Sequence, residues 1–240
     1  MDTSLTLRPH LRATLVLGVP LVGGHLAQFL IGLTDTLMLG WYGVDELAAL
    51  VLGSSLFFVF FLTGSGFAWA VMPLVASYAE EGDQTMVRRA TRMGLWLSLL
   101  YAVLVMPLMW WSAPALRFLG QEPEIADLAQ DYLRLAGWGM APALLVMVLK
   151  SYLAAQNRAQ VVLWVTVFGA LGNVLANWVL IFGNLGFPEM GIRGAALASV
   201  MNNVLMLAGL CLYAVKALPA QRIFQRIWRP DWEAFGAVFR

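Results

Sequence analysis

Six stretches of the chain, near residues 13–40, 47–77, 93–115, 133–155, 160–183 and 191–215, are almost wholly apolar. A bilayer core about 30 Å thick is crossed by about 20 residues of helix rising 1.5 Å each, so every stretch predicts one membrane-spanning helix. Charge or turn chemistry separates them: Gly43 to Glu46, Glu80 to Arg92, Pro114 to Asp131, Gln156 to Arg158, and Gly183 to Gly191 around Pro188. The fourth stretch carries Arg134 at one end and Lys150 towards the other, and both are expected to snorkel to opposite interfaces. The pattern predicts an all-α polytopic membrane protein with six transmembrane helices over residues 1–216. A cytosolic amphipathic segment over 217–240 is expected to follow, because Ile223, Phe224 and Ile227 alternate there with Arg222, Gln225, Arg226 and Arg229.

Composition agrees with the pattern. Of 240 residues, 60% are hydrophobic and 12% charged, against roughly a quarter charged in soluble domains. Fifteen basic and 14 acidic residues leave a net charge of +1, so no broad basic surface points to nucleic acid. The single cysteine, Cys211, excludes an internal disulfide and a multi-cysteine metal site. The first apolar stretch is too long for a signal-peptide core and carries Gln28 and Asp35, so it reads as a span and no cleavable signal is expected. His10 and His25 form no His-Glu-x-x-His pattern, and no glycine-flanked serine of the elbow type appears. No enzyme and no cofactor are expected. The Gly64-Ser65-Gly66 run lies inside the second span and reads as a close-packing or kinking device.

Basic residues orient the spans. Arg8 and Arg12 precede the first, Arg88, Arg89 and Arg92 join the second and third, and Lys150 and Arg158 lie by the fourth turn; Lys216, Arg222, Arg226, Arg229 and Arg240 follow the sixth. The opposite loops hold Arg117, Arg134 and Arg193 with the acids Asp45, Glu46, Glu122, Glu124, Asp127, Asp131 and Glu189, a division of twelve basic residues against three. Both termini are therefore expected in the cytosol, with Trp41, Tyr42, Trp110, Trp111 and Trp138 as an aromatic belt at the outer interface.

Polar residues inside the spans are the candidates for function, because a charge at bilayer depth costs about 2.5 to 3.5 kcal/mol on insertion scales. Asp35 is the one acid within the six stretches, and a spacing of seven puts Gln28 on its face of the helix, with Gly24 continuing the stripe. Asp35 can exchange a proton, pair with a cation, or be solvated near the interface that Gly40 and Trp41 announce. In the fifth span Asn173 and Asn177 stand four apart and project from one side, for helix packing or for a site. The sixth offers Ser199, Asn202 and Asn203; the two asparagines point about 100° apart, so at most one shares the face of Ser199. Gly191, Gly194, Ala195 and Ala198 read as close-packing positions. Pro20 removes a backbone hydrogen bond from the first span and predicts a kink, static or moving.

Taken in order, several features resemble one family. They are Pro20 with Gln28 and TDTLMLG; EEGDQTMVRRATRMGLWLSLL; the Leu-Gly at Leu119 followed by EPEIADLAQDYLR; KSYLAAQNRAQ; and GNVLANWVLIFGNLGFPEMGIRGAALAS. Over residues 12–238 they resemble the amino-terminal lobe of the multidrug and toxic compound extrusion (MATE) family. The resemblance implies one six-helix lobe of a twelve-helix antiporter, driven by protons or sodium, that exports small organic cations and amphipathic drugs across the plasma (inner) membrane by alternating access. It implies Asp35 as the protonatable acid of helix 1, Asn173 and Asn177 as its polar neighbours on helix 5, and Pro20 as the bend of helix 1; Gln28, Ser199 and Asn202 are cavity and gating candidates. Some relatives carry an acid at the second asparagine position, and Asn177 here leaves Asp35 to work alone.

The implied partners are the lipid bilayer and a second lobe, either a missing carboxy-terminal half or a second copy. RPHLRA at Arg8 and RPDWEA at Arg229 share Arg, Pro and Ala at matching offsets, as at the start of a second repeat. Two other readings stand: a lipid-linked oligosaccharide flippase of the same superfamily, expected to place several basic residues in its cavity, and a non-transporting membrane fragment.

Overall fold

The structure, a computed structural model, describes residues 7–218 and Ile223, with side chains from Gly18 onward. Eight α-helices follow one another: α1 (Leu7–Tyr42), α2 (Val44–Glu80), α3 (Gln84–Trp110), α4 (Ser112–Phe118), α5 (Pro123–Ala136), α6 (Met140–Ala155), α7 (Ala159–Phe182) and α8 (Gly191–Ala217). Among the described residues there is no strand. Among the described residues five segments, Val44–Glu80, Gln84–Trp110, Pro123–Ala155, Ala159–Phe182 and Gly191–Ala217, are long and apolar enough to cross a membrane. The 36 residues of α1 cover the first expected span, and the helix runs on through Pro20. The basic amphipathic tail expected beyond α8 lies outside the described residues, Ile223 excepted, as do the side chains of Arg8 and Arg12.

Two of the expected breaks are largely helical. The charged stretch from Glu80 to Arg92 contains a turn of three residues, after which α3 starts at once. The carboxylate of Asp83 caps it, accepting from the backbone N–H groups of Thr85 (2.9 Å) and Met86 (3.0 Å), so arginines that looked like loop occupy the helix's first turns. The stretch from Pro114 to Asp131 holds α4 and most of α5, with Pro123 in the first turn of α5. Here the chain lays an amphipathic helix along the bundle, burying Ala126, Ala129, Tyr132 and Leu133. The expected fourth span is accordingly the end of α5 and all of α6, joined by a single 3-10 turn at Gly137–Gly139. Its glycines admit close neighbours: a Cβ on Gly137 would lie 2.9 Å from the sulfur of Met106, and one on Gly139 would lie 3.1 Å from Val200.

Helix α1 packs chiefly on α7 and α2, α7 on α8, and α2 on α3, α5 and α6. The α7–α8 crossing is the tightest point. A Cβ on Gly194 would stand 2.5 Å from the Leu180 carbonyl oxygen, and the neighbouring Ala195 and Ala198 are fully buried. Gly183 ends α7 in the left-handed conformation (φ 68°), which a glycine adopts without strain.

Beside a small apolar cluster around Met93 and Leu97, two large ones fill most of the interior. One, around Leu39, Leu50, Leu133, Met140 and Ile181, lies toward the pole where α1 turns into α2; the other, around Val71, Leu149, Tyr152, Met206 and Leu210, lies toward the opposite pole. Outside, Phe29, Leu30, Phe58, Val103, Leu104, Phe168 and Leu171 are exposed, a surface suited to hydrocarbon rather than water. Trp110 and Trp138 meet edge to face, with ring centroids 6.4 Å apart, at the pole where Trp41, Tyr42 and Trp111 also stand.

Candidate functional site

The buried stripe of α1 runs through Pro20, Gly24, Ala27, Ile31, Asp35 and Leu39, spaced three or four apart as a helix packed on a neighbour requires. Asp35 therefore falls in the contact with α7 and is 7% exposed. On α7, Asn173 and Asn177 are fully buried one turn apart, and they face it.

The contacts form a small network. The side-chain amide of Asn177 donates through Nδ2 to Oδ1 of Asp35 (2.5 Å) and to Oδ1 of Asn173 (3.1 Å). The hydroxyl of Ser199 on α8 donates to the other carboxylate oxygen, Oδ2, at 3.1 Å. Three helices thus meet at one carboxylate. Two buried polar atoms in the same place, Oδ1 of Asn177 and Nδ2 of Asn173, are without a hydrogen-bond partner. Leaving such atoms unpaired is costly, so their presence beside a carboxylate marks a place where protonation or a bound cation can change the bonding. Both side chains that bond Asp35 meet it as donors, Asn177 through its amide Nδ2 and Ser199 through its hydroxyl.

The remaining sequence candidates divide. Asn202 is buried, but its amide oxygen packs on α7 at Gly169, where a Cβ would stand 2.9 Å away, so it braces the α7–α8 contact instead of touching Asp35. Asn203 looks elsewhere, toward Gly139, as the 100° divergence requires. Pro20 is buried in the α1 stripe well away from the carboxylate. Gln28, although on the Asp35 face, is exposed, and its Oε1 accepts from Nζ of Lys150 on α6 at 3.1 Å. Lys150 thus meets α1, where an amide offers its ammonium an acceptor. Arg134 lies near the tryptophan-rich pole, where its Nε donates to the Trp110 carbonyl at 3.1 Å.

One neighbour of the site was not foreseen. The buried phenol of Tyr132 on α5 lies within electrostatic reach of Asp35, and its ring fills the space beside Gly53 of α2. The period of α5 is the signal that could have found it, since Tyr132 falls three residues after Ala129 and six after Ala126 on the buried face.

A helical bundle that exposes apolar side chains outward and holds one carboxylate at the meeting of three helices defines a class: a polytopic membrane protein with a polar centre inside its spans. The comparisons name the family. The MatE family pattern matches residues 20–179. The chain is 47% identical over 232 residues to the probable multidrug resistance protein NorM of Rhizobium meliloti, covering 95% of this chain and 50% of that protein, and 42% identical to its Agrobacterium fabrum namesake. The fold matches the outward-facing conformation of a multidrug resistance MATE family transporter (TM-score 0.81, 23% identity, 95% of this chain and 50% of that one). It also matches the eukaryotic MATE transporter AtDTX14 (TM-score 0.87, 18% identity, 98% and 51%). This chain belongs to the MatE family, and it spans about half the length of the curated relatives it matches.

Proposed function

We propose that this chain is the amino-terminal lobe of a multidrug efflux antiporter of the plasma (inner) membrane, with both termini of the chain cytosolic and the tryptophan-rich pole outside. It exports small organic cations and amphipathic compounds against an inward flow of protons or sodium, together with a second lobe that completes the transport path. The observation that carries the reading is the Asp35 network: the buried acid of α1 sits where α1, α7 and α8 meet, bonded by Asn177 and Ser199. The printed names of the relatives, multidrug resistance proteins, point the same way.

In this mechanism the ionised carboxylate holds α1 on α7 and α8 through the Asn177 and Ser199 donors. A proton arriving on Asp35 converts an acceptor into a donor, and the unpartnered Oδ1 of Asn177 offers it an acceptor. The bonding across the α1–α7 contact is thereby rearranged, and Pro20, which frees one backbone carbonyl in α1, is the point at which the helix bends. A sodium ion would instead use the oxygens of Asp35, Asn173, Asn177 and Ser199.

The test is ethidium efflux by the gene product at its native full length, in vesicles carrying an imposed proton or sodium gradient. Asp35→Asn keeps the size and the polar contacts but cannot ionise, and it is expected to abolish gradient-driven efflux. Efflux by this variant that still follows the gradient would overturn the assignment of Asp35.

A further inference from the structure

Lys150 is the second group of interest inside the spans, and the Asp35 mechanism does not use it. It stands on α6 five residues before that helix ends at Ala155, and its ammonium meets a neutral amide: among the described residues its hydrogen-bond partner is Oε1 of Gln28. An ammonium has three donors and no acceptor, so two N–H groups remain after that bond. Gln28 spends its carbonyl on Lys150 and keeps its NH2 group, two further donors. The pair therefore presents positive charge and four N–H donors, against the one lone pair left on the Gln28 carbonyl.

The place is open. Gln28 is exposed at the edge of the buried stripe of α1, and Lys150 is half-buried. Seven residues separate Gln28 from Asp35, about 10 Å along the helix. One face of α1 thus carries a negative group at one level and a donor-rich positive point two turns away.

Resting on the export reading above, we propose that Lys150 and Gln28 form a docking point for an oxyanion on an amphipathic ligand and so set how the protein discriminates a carboxylate from its ester. A phosphate of a lipid headgroup carries the same chemistry and is the other source of such a group. A charge-assisted hydrogen bond from an ammonium at this depth is worth more than a neutral one, which gives Lys150 the larger share of the recognition.

The gene product at its native full length, in phosphatidylcholine nanodiscs, is titrated by fluorescence anisotropy with tetramethylrhodamine, which has a free carboxylate, and with its methyl ester. Lys150→Gln is expected to weaken binding of the acid about tenfold and to leave the ester unchanged, while Lys150→Arg keeps the preference. Gln28→Leu, at an exposed position of α1, should weaken the acid about threefold and reads the same donor pair without disturbing α6. Equal losses for acid and ester, or an unchanged acid affinity in Lys150→Gln, overturn the proposal. Anionic phosphatidylglycerol added to the nanodiscs separates the sources: competition with the acid dye that disappears in Lys150→Gln assigns the point to a lipid headgroup, and its absence assigns it to the solute. If the wild type selects the acid in binding but exports neither dye under a gradient, the export reading fails and the oxyanion point stands.

Discussion

Nδ2 of Asn177 donates both to Asp35 across the α1–α7 contact and to Asn173 within α7, so one amide couples two helices to the protein's intramembrane acid. Ser199 makes a single bond to the same carboxylate. Removing the two side chains should therefore not cost the same. Asn177→Ala strands Asp35 Oδ1 and Asn173 Oδ1 together and is expected to destabilise the lobe by about 2 to 4 kcal/mol, against about 1 to 2 for Ser199→Ala. Thermal unfolding of the detergent-solubilised protein gives the order; equal losses would show that the Asn173 bond contributes nothing.

The Gly64-Ser65-Gly66 run makes opposite demands at its two glycines. A Cβ on Gly64 would lie 2.6 Å from the ring of Tyr101, whose hydroxyl is anchored on the Phe60 carbonyl at 2.8 Å, whereas nothing stands within 4 Å of a Cβ on Gly66. Gly64→Ala is expected to cost about 1 to 3 kcal/mol through overpacking, and Gly66→Ala to be neutral or to stabilise by up to about 1 kcal/mol. Unfolding midpoints of the two variants moving in the same direction would contradict this packing.

At Gly194 the obstacle is backbone rather than a side chain that can swing away. Gly194→Ala would press its methyl on the Leu180 carbonyl at 2.5 Å and force α7 from α8, moving the Asn177 and Ser199 donors apart. Loss of about 2 kcal/mol or more is expected, with export falling alongside stability. A cysteine pair engineered across α7 and α8 would report the widening as slower crosslinking.

The ion pairs at the tryptophan-rich pole should matter little. Arg193 donates to Asp131 at 2.6 Å, with side-chain exposures of 59% and 29%, and Arg117 pairs with Asp127 at 2.6 Å with both more than 40% exposed. Each is expected to contribute at most about 1 kcal/mol, and less in high salt. A double-mutant cycle on Arg193 and Asp131, run at low and high ionic strength, measures the coupling; a value that does not fall with salt would mean that the pair is less exposed than it looks.

Much was legible before any fold was known. Length and apolarity alone predict membrane helices, because an apolar run of about 20 residues has no better place than a bilayer. The spacing of four between Asn173 and Asn177 and the isolation of Asp35 in its span identify these as the polar residues that must find partners, and they find each other. The small residues of α8 announce a close crossing, and Gly194 makes it. What the sequence by itself determined was this local physics: which segments enter the membrane, and which side chains cannot stay there alone.

Tertiary structure decided the pairings. Gln28 and Asp35 share a helix face, yet one is exposed beside α6 and the other enclosed by α7 and α8. Asn202 and Ser199 stand three apart on α8, but the first braces Gly169 and the second reaches the carboxylate. The acceptor that Lys150 meets on α1 lies 122 residues away in the chain, and the charges along α5 mask its helical period. Periodicity gives the direction of a side chain about its own helix axis. What it meets there depends on how the neighbouring helices are placed, and that follows from long-range packing that no local window contains.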